Sequence, residues 1–363
     1  MKNQKSSWFQ WLSDVGFDDA SLVGSKGASL GELLRAGFSI PPGFVITTGG
    51  CSEVIHRALG STDIQRRWDN LSPENWSEVK QLSTMIRAEI ESVDLDPFLE
   101  EGIEEHYGIL SKSYDTNDLP VAIRSSATEE DLPGASFAGL LDTYLGICGR
   151  EKLIQYFRKC VSSLFTPRSI AYRRQHSFNQ MDLRISVIVQ QLISATCSGV
   201  MFTLNTKNGD RSVVSLEASF GLGDSVVSGQ VNPDSYLINK VTDEVSHRYI
   251  SYKSTALQYD PVTQSCVCVN LPIEVQREPT LSDKDLRSLS RIAKSIEAHY
   301  QRPMDIEWAV DRAKLDQQSI YILQARPETI WRESMQSTSL QEDSINETDL
   351  IVQALLKGRQ FSC

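Results

Sequence analysis

Residues 121–146, VAIRSSATEEDLPGASFAGLLDTYLG, set an arginine directly after an apolar run. Val121, Ala122 and Ile123 read as a buried strand, and Arg124 continues it, although a guanidinium is rarely buried without an anionic partner. The fold must bring something negative to Arg124, either a structural carboxylate or the phosphate of a ligand. The residues that follow are small or hydroxylated: Ser125, Ser126, Thr128, Gly134, Ser136, Gly139 and Thr143. They offer hydroxyls and unobstructed backbone N–H groups, which can cradle phosphate oxygens without a P-loop lysine motif. The segment SATEEDL within the same stretch could instead be the N-cap box of an ordinary helix.

A second constellation lies in MDIEWAV (304–310) and SIYILQARP (319–327). A side-chain period of two puts Asp305 and Glu307 on one face of the first strand, and Gln324 and Arg326 on one face of the second. Antiparallel pairing about a turn near residues 315 and 316 would set Glu307 opposite Gln324 and Asp305 opposite Arg326. Hard oxygen donors and a fork-shaped cation then share one patch, as a magnesium phosphate requires. A solvated cross-strand ion pair would use the same residues. Lys26, in GSKGAS at the start of a helix, is placed where the helix dipole and an ammonium together suit an anion. A lone lysine there could equally be solvated.

Length and charge bound these readings. With 363 residues, 40% apolar and 23% charged, the chain is long enough for two domains. Its formal charge of −11 is spread without long like-charge blocks, which argues against nucleic acid as a partner. No window approaches the roughly 18–20 apolar residues of a membrane span, so no membrane partner and a cytoplasmic location are expected. Seven cysteines, at 51, 148, 160, 197, 266, 268 and 363, form no CxxC pair and read as reduced thiols. The five histidines are scattered singly, and no zinc site is expected.

The pattern along the chain is α+β. SKGASLGELLRAG predicts a helix closed by Gly37, and Pro41 and Pro42 force an extended segment after it. Residues 51–118 read as a helical insert, and 151–175 as two helices divided at Pro167. From RISVIVQQLI onward short strands and glycine turns dominate, among them QSCVCVN with Cys266 and Cys268 on one face. A helix over 283–301 precedes the two closing strands. Residues 331–363 are polar and read as a linker.

These motifs carry a family resemblance. LVGSKGASLGELLRAGFSIPPGFVIT, VAIRSSATEEDLPGASFAGLLDTYLG, SGVMFT, EASFGLGDSVVSGQVNPDSY and DIEWAVD with IYILQARPET resemble, in order, the ATP-binding region of one enzyme family. It comprises phosphoenolpyruvate synthase (pyruvate, water dikinase), pyruvate, phosphate dikinase and rifampin phosphotransferase, and the resemblance covers about residues 18–330. It implies an ATP-grasp fold of two lobes clamping the nucleotide: residues 1–189 with the helical insert and the phosphate loop, and 190–330 with the metal site. Residues 331–363 would lead toward a phosphohistidine domain.

By motif position, the resemblance implies that Lys26 and Arg124 contact ATP phosphates and that Gly139 and Thr143 line the loop over them. Gln190 would sit at the adenine-side hinge, Glu307 and Gln324 would hold Mg2+, and Arg326 would bind the phosphate chain. Lys26, Arg124 and Arg326 would act by positioning and charge neutralisation. The implied reaction phosphorylates a histidine on a swivelling domain, in cis or in trans, with release of AMP and phosphate and with pyruvate as final acceptor. A rifampin phosphotransferase-like enzyme would share this ATP half-reaction, and an ATP-binding module without turnover is the alternative of a different class. Two departures are mild: Asp224 stands where relatives usually have glutamate in GLGE, and Leu140 follows SFAG where many have glutamine. None of the five histidines lies in a GGxxxH phosphohistidine context.

Overall fold

The computed structural model describes residues 8–60, 62–72, 74–128, 131–132, 135–136, 142–175, 184–312 and 320–328. Gly139 and residues 331–363 lie outside these, and so do the expectations placed on them. The fold is α+β, with two large antiparallel sheets.

The first sheet uses β1 (Phe9–Trp11), β2 (Gly43–Ile46), β3 (Val121–Ala127), β6 (Thr143–Ile147) and β7 (Ile185–Gln191), in the order β1-β2-β7-β3-β6. Two-residue strands β4 (Asp131–Leu132) and β5 (Ala135–Ser136) pair between β3 and β6 in sequence. No helix starts at SATEEDL among the described residues, because β3 carries the extended backbone through to Ala127. Period-two patterning divides the faces of this sheet. Phe44, Ile46, Val121, Ile123, Val187 and Val189 point into a core covered by the helical insert. That insert is α2 (Thr48–Ala58), α3 (Thr62–Asp69), α4 (Trp76–Ser92) and α5 (Pro97–Lys112), joined by α6 (Arg150–Ser162) and α7 (Pro167–Gln175). Val45 and Ile188 point the other way, toward the second sheet.

The second sheet, ordered β11-β10-β9-β8-β14-β15, follows the end of β7. Its strands are β8 (Cys197–Phe202), β9 (Val213–Phe220), β10 (Asp234–Asn239), β11 (Val245–Tyr249), β14 (Met304–Val310) and β15 (Ile320–Pro327). Leu286, Leu289, Ala293 and Ile296 recur at helical spacing on α9 (Asp283–Tyr300) and pack on it with Trp308 and Tyr236. Asp234, in the NPDSY motif, proves to be structural. It is fully buried with Lys253, and its carboxylate also accepts from the Ser251 N–H at 2.9 Å and the Thr280 N–H at 2.9 Å. One carboxylate thus ties β10 to the segment that enters α9.

Between the sheets runs α1 (Ala20–Arg35), longer than its sequence signal and broken at Gly24, whose φ is +70°. A side chain there would meet Ser126 Oγ at 2.2 Å and the Ser126 carbonyl oxygen at 2.4 Å, so only glycine fits. Ser126 Oγ accepts from the backbone N–H groups of Lys26 at 3.1 Å and Gly27 at 3.3 Å, and donates to the Val23 carbonyl at 3.1 Å. The kink creates a new helix start at Lys26, and the Ser126 hydroxyl of β3 caps it.

A two-stranded hairpin, β12 (Thr255–Asp260) and β13 (Ser265–Asn270), bridges toward the first sheet. Leu257 pairs with Gly221 at the end of β9. Cys266 and Tyr259 close on Gly146 of β6, where an added Cβ would lie 2.8 Å from the Cys266 Sγ and 2.9 Å from the Tyr259 ring.

Candidate functional site

A cleft of about 600 Å³ opens between the two sheets. Lys26, Arg124, Thr143, Gln190, Glu307, Gln324 and Arg326 all line it. They come from α1, three strands of the first sheet and the closing hairpin of the second, segments up to 300 positions apart in the chain.

The closing strands pair as their alternation requires, with Asp305 opposite Arg326 and Glu307 opposite Gln324. Arg326 grips the Asp305 carboxylate with Nε at 2.8 Å and Nη2 at 2.7 Å. Burial lifts the Asp305 carboxyl above the usual range, outweighing the pull of Arg326. The register slips after Glu307, leaving Leu323 without a cross-strand partner, and its carbonyl accepts from Arg124 Nη1 at 2.7 Å.

Arg124 also meets Glu307, Nη2 to Oε2 at 3.3 Å, with the two side chains 11% and 22% exposed. Each of these arginines is thus paired with an acid of the closing hairpin: Arg326 with Asp305, as the strand alternation gave, and Arg124 with Glu307, one of the two kinds of partner that its burial called for. A buried guanidinium needs a counter-charge, and the hairpin supplies one. The Arg124 Nε is buried with no hydrogen-bond partner among the described residues. Lys26 Nζ donates to the Ser125 carbonyl at 3.3 Å, and Lys26 lines the same cleft.

Gln190 is buried and donates from Nε2 to the Pro41 carbonyl at 2.8 Å, fixing the chain crossing at the two prolines. Residues the sequence reading did not single out as site residues also line the cleft, among them Asp142, Gln191 and Asp224. Asp224 opens the short helix α8 (Asp224–Val227). Burial raises its carboxyl, with Arg124 opposing and Glu307 adding to the rise. Its only sequence signal was the departure from GLGE. Gln191 gave none, because it reads as the solvent end of an apolar strand.

Among the described residues no group of three or more His, Cys, Asp or Glu side chains could hold a metal by itself. Glu307 and Gln324 offer two hard oxygen donors side by side, a set that suits Mg2+, which keeps waters and shares phosphate oxygens. Among the described residues no helix is long and apolar enough to cross a membrane.

An α+β fold whose two sheets face each other across a cleft with basic side chains and paired oxygen donors defines a binder of phosphate esters. More particularly, the chain belongs to the family described as "Pyruvate phosphate dikinase, AMP/ATP-binding domain", which matches residues 20–347. It is similar to the "Probable phosphoenolpyruvate synthase" of Methanocaldococcus jannaschii, 38% identical over 357 residues that make up 98% of this chain and 29% of that protein. The "Probable phosphoenolpyruvate synthase" of Archaeoglobus fulgidus is 39% identical over 349 residues, 96% of this chain and 44% of the relative. The "Phosphoenolpyruvate synthase" of Aeropyrum pernix is 34% identical over 376 residues, 95% and 45% respectively. The chain spans less than half the length of each of these relatives.

Proposed function

We propose that this chain is the ATP-binding kinase part of a phosphoenolpyruvate synthase-like dikinase, built as an ATP-grasp clamp. Residues 1–189 would form one lobe and 190–330 the other, with 331–363 linking to a phosphohistidine domain. One observation carries the reading: seven residues singled out by motif position, from distant segments, line one cleft.

In this reading the cleft works by positioning and charge neutralisation. Lys26, Arg124 and Arg326 hold the phosphate chain, and Thr143, opposite Arg124 in the β3–β6 register, closes the side of the cleft. Arg124 exchanges its contact with Glu307 for phosphate oxygens. Glu307 and Gln324 would hold Mg2+, which supplies charge neutralisation at the phosphate oxygens when bound. The β-phosphorus is attacked by a histidine nitrogen from a domain in cis or in trans. The bond to the α–β bridging oxygen breaks and AMP leaves with its electron pair; the γ-phosphate is later lost to water as inorganic phosphate. Pyruvate is the proposed final acceptor.

Turnover in trans tests this. Incubated with ATP and Mg2+, the 363-residue chain alone should form almost no AMP, and adding a phosphohistidine domain from a relative should produce AMP and label that domain's histidine from β-labelled ATP. Rapid AMP release by the chain alone, or none with a folded added domain, would contradict the proposal.

A further inference from the structure

Strand β15 is the outer strand of the second sheet, so one of its edges has no neighbouring strand among the described residues. It is also the strand from which Gln324 and Arg326 reach the cleft. An open edge leaves backbone N–H and C=O groups that need partners from elsewhere. Here they come from the first part of the chain. The Ile322 N–H donates to the Ser39 carbonyl at 2.8 Å, Arg124 Nη1 donates to the Leu323 carbonyl at 2.7 Å, and Ser29 Oγ donates to the Ala325 carbonyl at 2.7 Å.

The Ser29 bond falls between the two cleft residues. Ala325 separates Gln324 from Arg326, and period-two alternation turns its side chain away from theirs, into the core that includes Ala28 and Leu30 of α1. Fixing the Ala325 carbonyl fixes the backbone from which both cleft side chains depart. Ser29 also follows Lys26 by three residues on α1, nearly one turn. The helix that Ser126 of β3 caps at Lys26 therefore grips β15 one turn later, which sets the spacing of Lys26 from Gln324 and Arg326.

The serine hydroxyl is itself held. Ser29 is buried, and the Tyr300 hydroxyl at the end of α9 lies 2.9 Å from its Oγ. Because the Ser29 proton is committed to Ala325, Tyr300 is the donor of this pair. Burial raises the Tyr300 hydroxyl above its ordinary range, which keeps the donated proton in place. The bonds run in one direction, from Tyr300 to Ser29 to the Ala325 carbonyl, and each polarises the next.

We infer that Ser29 is a positioning residue for the phosphate end of the cleft: through the Ala325 carbonyl it sets where Gln324 and Arg326 stand, with no contact of its own to the ligand. The inference rests on the nucleotide reading above and adds to it a residue that does not line the cleft.

The test is calorimetric titration of the whole chain with ATP in Mg2+ and with AMP, for wild type, Ser29→Ala and Tyr300→Phe. Both substitutions break the contact between α1 and α9, and only Ser29→Ala releases the Ala325 carbonyl. Ser29→Ala should bind ATP about three- to tenfold more weakly, the range for one neutral hydrogen bond. Its affinity for AMP, which has neither a β- nor a γ-phosphate, should stay within about twofold of wild type. Tyr300→Phe should bind ATP within about twofold of wild type. Unchanged ATP affinity in Ser29→Ala would overturn the inference while leaving the nucleotide reading standing. An equal loss for ATP and AMP in that variant, or an equal loss of ATP affinity in Tyr300→Phe, would assign the serine a packing role and overturn it too. Failure of wild type to bind ATP would overturn the reading and the inference together.

Discussion

Arg124 and Glu307 are 183 positions apart in the chain and hold each other across the cleft. Each is kept partly out of water, so neither is tolerated without an opposite charge, and a phosphate or a metal ion entering between them would replace one partner by another. Asp224 shares this electrostatic neighbourhood and is on the wrong side of it. Burial chiefly raises its carboxyl, and Glu307 adds to the rise. A carboxyl raised in the folded state contributes stability below its ordinary range, and that contribution is lost as pH rises through the raised value. Asp224→Asn removes the charge and keeps the size. Its melting temperature should match wild type near pH 3 and gain on it as pH rises from about 4 toward 7, in melts recorded across that range. A wild-type advantage that grows with pH would contradict this assignment.

The broken helix α1 shows how a local backbone rule can set a site. Gly24 lets the chain turn at φ +70° and brings the Lys26 N–H onto Ser126 Oγ, so the first basic residue is locked to the strand that carries Arg124. Gly24→Ala should destabilise the protein by about 2–5 kcal/mol, left-handed strain and overpacking together. Gly37→Ala is the control. Its φ is +85° but no heavy atom lies within 4 Å, so only the strain of about 1–2 kcal/mol applies. Chemical denaturation of the two variants separates the terms, and equal losses would refute the close contact at Ser126. The kink itself was not legible in SKGASLGELLRAG, because glycines inside a helical pattern do not say which one leaves the helix. The closing hairpin was legible, since a period of two fixes which side chains face each other once the turn is placed, and Asp305–Arg326 and Glu307–Gln324 pair as that rule requires. The bulge at Leu323 was not, and it is the bulge that gives Arg124 its carbonyl partner.

The molecule joins its sheets through shared pieces and not by a simple linker. Helix α1 contributes to the core of the second sheet while its kink caps onto β3, and the β12–β13 hairpin returns from the second sheet to press on Gly146 of the first. The Tyr300 hydroxyl adds a contact with Ser29 Oγ at 2.9 Å, across α9 and α1. Such long-range contacts were beyond sequence reasoning, which located the motifs and the acid that meets Arg326 but not the one that meets Arg124. The two acidic partners also make the decisive measurement sharp. Calorimetry of ATP binding, with Mg2+ and with a chelator, should show the wild-type affinity falling at least about tenfold, roughly 1.4 kcal/mol, when the ion is removed. Glu307→Ala should bind ATP weakly in both conditions, because the proposed metal ligand is gone. If Glu307 served only as the counter-charge of Arg124, its removal would release a cation to the phosphates, and Glu307→Ala binding ATP as tightly as wild type or tighter in Mg2+ would contradict the account.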